Sequence, residues 1–159
     1  MRRDLVALLL VLSSCAPSGP LDVGYHGDDA GYVAALEAAN AWNQTCGADL
    51  VNVHRGDGEI DLREQEGITH NAYGETTFER PILNAVGPRE PVAIWFMSGW
   101  HALPVLTHEF GHALGLGHAD SGIMDPHVAS GFDALDPATG NTTLAPGMIT
   151  AETCKQVTR

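Results

Sequence analysis

The reading of this chain turns on His108-Glu109-Phe110-Gly111-His112-Ala113-Leu114-Gly115-Leu116-Gly117-His118. On an α-helix, His108 and His112 stand four residues apart and project from one face. Two imidazoles so placed can hold one Zn2+ ion. Glu109 lies one position on, about 100° round the helix, where its carboxylate flanks the metal and holds a bound water instead of ligating. Leu106, Phe110 and Ala113 point to the other side and anchor the helix in a core. The chain must then turn back, and Gly115 supplies the left-handed conformation cheaply. Three residues later His118 returns as a third ligand. Three protein ligands leave the fourth position to water, the pattern of catalytic rather than structural zinc.

Just downstream comes Gly122-Ile123-Met124-Asp125-Pro126. The pattern H-E-x-x-H-x-x-G-x-x-H followed by such a methionine turn resembles the metzincin metallopeptidases. Met-x-Pro at 124–126 and the Ala-Leu-Gly-Leu-Gly-His run are most similar to the matrixins. The specific likeness covers about Thr107 to Pro126, and the flanking pattern fits loosely across 21–157. It implies an α+β fold: a small twisted mixed sheet, a long N-terminal helix, a zinc-binding active-site helix, a Met-turn and a short C-terminal helix. It implies one catalytic Zn2+ on His108, His112 and His118, with Met124 beneath it and Glu109 as general base. The implied reaction is endo-cleavage of a protein or peptide substrate bound as an added strand. The implied sheet edge lies near Thr76 to Val86, and His127 to Phe132 line the pocket beyond the cleaved bond. The chain departs from the family in two places. His118 and Met124 are closer in sequence than in typical matrixins, and Asp125 stands where tyrosine is common. No cysteine-switch propeptide is expected between Cys15 and the domain. The alternative is a zinc-binding surface lipoprotein without turnover, a pseudoprotease or adhesion module. Glu109 speaks against it, because losing that carboxylate is the simplest way to disable such a site.

The N-terminus reads as an export signal over residues 1–14: Arg2 and Arg3 form the positive region, and Leu5 to Leu12 the apolar one. Leu12-Ser13-Ser14-Cys15 resembles a bacterial lipobox, which implies a lipidated Cys15 as first mature residue and a membrane tether. An ordinary signal peptide cut later, releasing a secreted protein, is the other option. Residues 15–20 form a linker and 21–159 the catalytic domain. Export leaves Cys46 and Cys154, which favours a disulfide over two free thiols.

Composition bounds the rest. The chain has 159 residues, 44% of them hydrophobic, enough for one core. Its formal charge of −12 and the single lysine, Lys155, argue against nucleic-acid binding, which needs clustered cations. A monomer is the default. Periodicity predicts a strand over Leu21–His26 and a helix capped by Asp28 or Asp29, running to about Gln44. That helix buries Tyr32, Ala35, Leu36, Ala39, Trp42 and Cys46, with Gly47 as its stop. Strands are predicted over Asp49–His54, Gly67–Tyr73, Thr76–Val86 and Val92–Met97. The active-site helix is predicted from Pro104 to Leu114, a loop from Ala119 to Gly147, and a last helix capped by Thr150. Asp57-Gly58-Glu59-Ile60-Asp61 faintly suggests a structural calcium loop but lacks the full ligand series, and reads as a solvated turn. Asp120 either accepts a hydrogen bond from a ligand imidazole or caps the turn. His26, His54, His70, His101 and His127 read as surface or packing residues, and Trp95 and Trp100 as core.

Overall fold

A computed structural model describes residues 19–64, 74–78, 91–96, 102–127 and 143–158. Among them run β1 (Leu21–His26), α1 (Asp29–Cys46), β2 (Val51–Arg55), β3 (Ile60–Glu64), β4 (Gly74–Phe78), β5 (Pro91–Phe96), α2 (Ala102–Ala113) and α3 (Ala151–Val157), with a 3-10 turn at Gly122–Met124. The strands form one sheet in the order β2-β1-β3-β5-β4. The β1, β2, β3 and β5 pairings are parallel, and β4 runs antiparallel to β5. This is the expected α+β architecture.

Local chemistry explains the first helix. Asp28 caps it by accepting from the Gly31 amide at 2.8 Å. Gly47, at φ 64°, ends it with its amide on the Asn43 carbonyl. The Asn43 side chain then clamps the exit: its Oδ1 accepts from the Leu50 and Val51 amides, and its Nδ2 donates to the Val51 carbonyl. The buried face is Gly31, Ala35, Ala38, Ala39 and Trp42. Tyr32, Leu36 and Cys46, expected there, lie at its margin. The reason is distance: a backbone pressed close to its neighbours selects its smallest side chains. A Cβ on Gly31 would lie 2.2 Å from the Tyr25 hydroxyl.

On the sheet, Val23, Tyr25, Ile60, Leu62, Ile94 and Phe96 are buried together beneath the helices. The opposite face carries Arg63 and Trp95, directly paired across β3 and β5. Trp95, expected in the core, is half-buried there beside the Arg63 guanidinium. Strand β3 was not expected. Its Ile60 and Leu62 alternate with polar residues as a half-buried strand does, but Asp57–Asp61 reads first as a turn. Gly58 presses backbone to backbone on Gly24, where a Cβ would meet the β1 amide nitrogen at 2.3 Å. Asp61 itself belongs to β3, and His26 lies 3.5 Å from Asp57 and 3.4 Å from Asp61. The expected strand at 67–73 and the 79–86 part of the next fall outside the described residues. β4 occupies 74–78.

α2 begins two residues earlier than predicted and is buried on nearly every side. The Trp42 indole of α1 donates to the Thr107 carbonyl of α2 at 2.8 Å, both residues being fully buried. A disulfide joins Cys46, at the end of α1, to Cys154 in α3, with 5.1 Å between the Cα atoms. Thr150 caps α3 as predicted, accepting from the Thr153 amide. Among the described residues no helix is long and apolar enough to cross a membrane. Cys15 and the rest of 1–18 lie outside them.

Candidate metal centre

His108 and His112 come from the last two turns of α2, and His118 from the segment after it. Their candidate ligand nitrogens all lie within 4.8 Å of one another, the one such cluster among the described residues. Gly115, at φ 92°, makes the reversal. Its amide bonds the His112 carbonyl and the Leu116 amide bonds the Gly111 carbonyl, each at 2.9 Å. This pair of bonds is a Schellman motif, closed by the burial of Leu116.

That turn also orients the His112 ring. His112 Nδ1 faces the Leu116 carbonyl at 2.9 Å, and His108 Nδ1 faces the Ile123 carbonyl at 2.7 Å. A ring nitrogen facing a carbonyl carries the hydrogen, so in each neutral ring Nε2 holds the free lone pair. Burial pulls the His108 imidazole down to about 4, against the raising effect of its Ile123 hydrogen bond. Burial also lowers His112. Neutral imidazoles are the form that binds metal. His112 Nε2 and His118 Nε2 are 3.2 Å apart, close to the roughly 3.3 Å that separates two nitrogens on one tetrahedral zinc. The donor set therefore fits Zn2+ with a position to spare. Asp120, weighed as a partner for a ligand ring, is exposed, and backbone carbonyls hold that role for His108 and His112.

The 3-10 turn at Gly122–Met124 sits under α2. Met124 is buried, and its sulfur packs so near Gly111 that a Cβ there would lie 2.3 Å away. The Ala119 amide bonds the Met124 carbonyl, and the Ile123 amide bonds the Met148 carbonyl, each at 2.9 Å. The Met-turn thus ties the His118 segment, the His108 ring and the C-terminal segment together. Asp125 turns its carboxylate to His127, accepting from the backbone amide at 2.8 Å.

Glu109 is 4% exposed. Its Oε2 accepts from the Thr76 hydroxyl of β4 at 2.6 Å. Burial pushes its carboxyl up to about 7, with the Thr76 hydrogen bond pulling the other way and Glu75 adding to the rise. Sequence reasoning did not single out Thr76 as a partner of Glu109, nor Gly74, Gly111 or the two carbonyls. Only Gly111 carried a hint, as a glycine inside a helix. Of the other histidines, His54 pairs with Asp22 at 3.1 Å. His70, His101, Trp100 and 128–132 lie outside the described residues.

The family described as Matrixin, a peptidase family, matches residues 25–135. No curated protein matches the chain.

Proposed function

Since the chain belongs to the matrixin family of peptidases, we propose that it is a zinc-dependent endopeptidase in which Glu109 is the general base. The observation that carries this reading is the convergence of three imidazoles, two of them held by backbone carbonyls, with a buried carboxylate, Glu109, on the helix that carries two of the three. Zinc bound there would supply Lewis acidity and lower the pKa of a water to about 7. His108, His112 and His118 would hold the ion, and Met124 packs beneath α2 to support them. Glu109 takes the proton of the attacking water and returns it to the leaving amine as the C–N bond breaks, giving a carboxylate and an amine. The substrate lies extended along β4, the edge strand of the sheet next to β5 and α2 among the described residues.

We assign residues 1–14 to an export signal, 15–20 to a linker and 21–159 to the catalytic domain, with a lipid on Cys15 tethering it to a membrane. The mass of the mature N-terminus tests the anchor, since a diacylglyceryl adduct on Cys15 is unambiguous.

The test of the enzyme is cleavage of an unfolded protein by the purified chain, with and without a zinc chelator, beside Glu109→Ala. Cleavage is expected to vanish under chelation and to fall about 10²–10⁴-fold in Glu109→Ala, which still binds zinc. A Glu109→Ala protein that cleaves like wild type refutes the general-base role. A folded, zinc-loaded wild type that cleaves nothing favours the binding module instead.

A further inference from the structure

Strand β4 meets the active-site helix at one carboxylate. In the sheet register Leu62, Ile94 and Thr76 stand in one cross-strand row, and Glu64, Phe96 and Gly74 in another. Ile94 and Phe96 are fully buried on the helix side. Residues two apart on a strand share a face, so Gly74 and Thr76 also face α2, while Glu75 between them is exposed. The Thr76 hydroxyl lies 2.6 Å from Glu109 Oε2 and 3.1 Å from the Glu109 carbonyl. With one proton, it donates to the nearer acceptor, the carboxylate Oε2. At Gly74 a Cβ would stand 2.5 Å from Val105 Cγ1, 2.8 Å from Glu109 Oε1 and 2.9 Å from Glu109 Cγ. The missing side chain leaves the space that the carboxylate and the Val105 methyl share.

Building on the peptidase reading above, we propose that Thr76 is a positioning residue for the reaction: its hydroxyl, with the space left by Gly74, fixes the Glu109 carboxylate in one orientation. A glutamate on a helix has three side-chain torsions, and a base must meet its proton at hydrogen-bond distance. Thr76 occupies one of about four lone-pair sites on the carboxylate. The others remain for the attacking water. The same strand that receives the substrate would then also set the base, so the two are placed in register by one element.

The variants are Thr76→Val, which removes the hydroxyl at nearly constant shape, and Thr76→Ser, which keeps it. Thr76→Ala replaces the valine variant should the latter not fold. In the purified zinc-loaded protein, Thr76→Val is expected to lower kcat about tenfold while KM and zinc content change less than about twofold, because a displaced base loses proximity rather than substrate binding. Thr76→Ser recovers most of that loss. A second readout needs neither metal nor turnover. In metal-free protein carrying 13C-labelled glutamate, the Glu109 carboxyl resonance is identified by its disappearance in Glu109→Gln. It is expected to shift in Thr76→Val and to return near its wild-type position in Thr76→Ser.

An unmoved resonance in Thr76→Val overturns the hydrogen bond itself. A moved resonance with wild-type kcat overturns the positioning role, as does a loss confined to KM or zinc content, or an equal loss in Thr76→Ser. Those outcomes leave the peptidase reading intact if the wild type cleaves. A wild type inert toward peptides refutes that reading, and with it the role of Thr76 in a reaction, whatever the resonance does.

Discussion

Replacing Gly111 with alanine sets two effects against each other. In an exposed helix the change would stabilise by about 1 kcal/mol, because glycine is a poor helix former. Here the added Cβ would lie 2.3 Å from the Met124 sulfur and 3.1 Å from both Met124 Cε and Trp42 Cζ2. Non-bonded carbons prefer about 3.5–4.0 Å, so Met124 must retreat by more than 1 Å. Methionine is adaptable, but Met124 is 4% exposed, and the Trp42 ring is held by its bond to Thr107. Overpacking of this kind costs about 1–3 kcal/mol. The net expectation is a loss of about 1 kcal/mol after the helix gain is deducted. For a domain of this size that lowers Tm by about 2–4 °C. The second consequence concerns metal. Ile123, next to Met124, gives the carbonyl that orients His108. Displacing such a support weakens metal affinity by about 10–100-fold. The assays are thermal unfolding of the metal-free protein and zinc competition against a chromophoric chelator. Met124→Ala should relieve the clash, so the Gly111→Ala and Met124→Ala effects should fall short of additive by about 1 kcal/mol. A Gly111→Ala protein that melts above wild type and holds zinc as tightly would refute the reasoning.

Reducing the Cys46–Cys154 bridge, or replacing both cysteines with alanine, frees a closure spanning 108 residues. The expected loss is about 4–5 kcal/mol in the chain-entropy model. Zinc binding should weaken too, since Met148 in the attached segment holds the Ile123 amide. An unchanged Tm in reductant would count against it. Tyr25 offers a pH test remote from the metal. Its hydroxyl is buried, and burial, with the Glu64 carboxylate adding to it, pushes its pKa from 10.0 up to about 12. The fold favours the neutral phenol, so stability is complete below pH 10 and falls as pH rises through that window to about 12. Tyr25→Phe should lose this slope, because the group that titrates is gone. Equal alkaline slopes in denaturant titrations would sink the assignment.

The zinc motif was legible because its chemistry is local. His108 and His112 share a helix face by periodicity alone, and Gly115 must turn the chain before His118 can return. The caps were legible for the same reason: Asp28, Gly47 and Thr150 act on backbone groups a few residues away. Strand β3 was missed because Ile60 and Leu62 look like part of an acidic turn until β1 and β5 are placed on either side. The buried face of α1 was shifted because hydrophobic periodicity weighs Tyr32 and Leu36 above alanine. Close packing reverses that preference.

Sequence alone determined the candidate ligand set, the turn between its second and third members, the general-base candidate and the α+β class. Each of these follows from spacings shorter than two helical turns, or from a resemblance carried by one contiguous segment. Only the tertiary structure decided what holds those groups still. The Ile123 carbonyl reaches His108 from fifteen residues away, Thr76 reaches Glu109 from thirty-three, and Trp42 reaches Thr107 from sixty-five. Each contact joins residues on different elements. No pattern along the chain encodes them, because they exist only once sheet order and helix packing have brought those elements together.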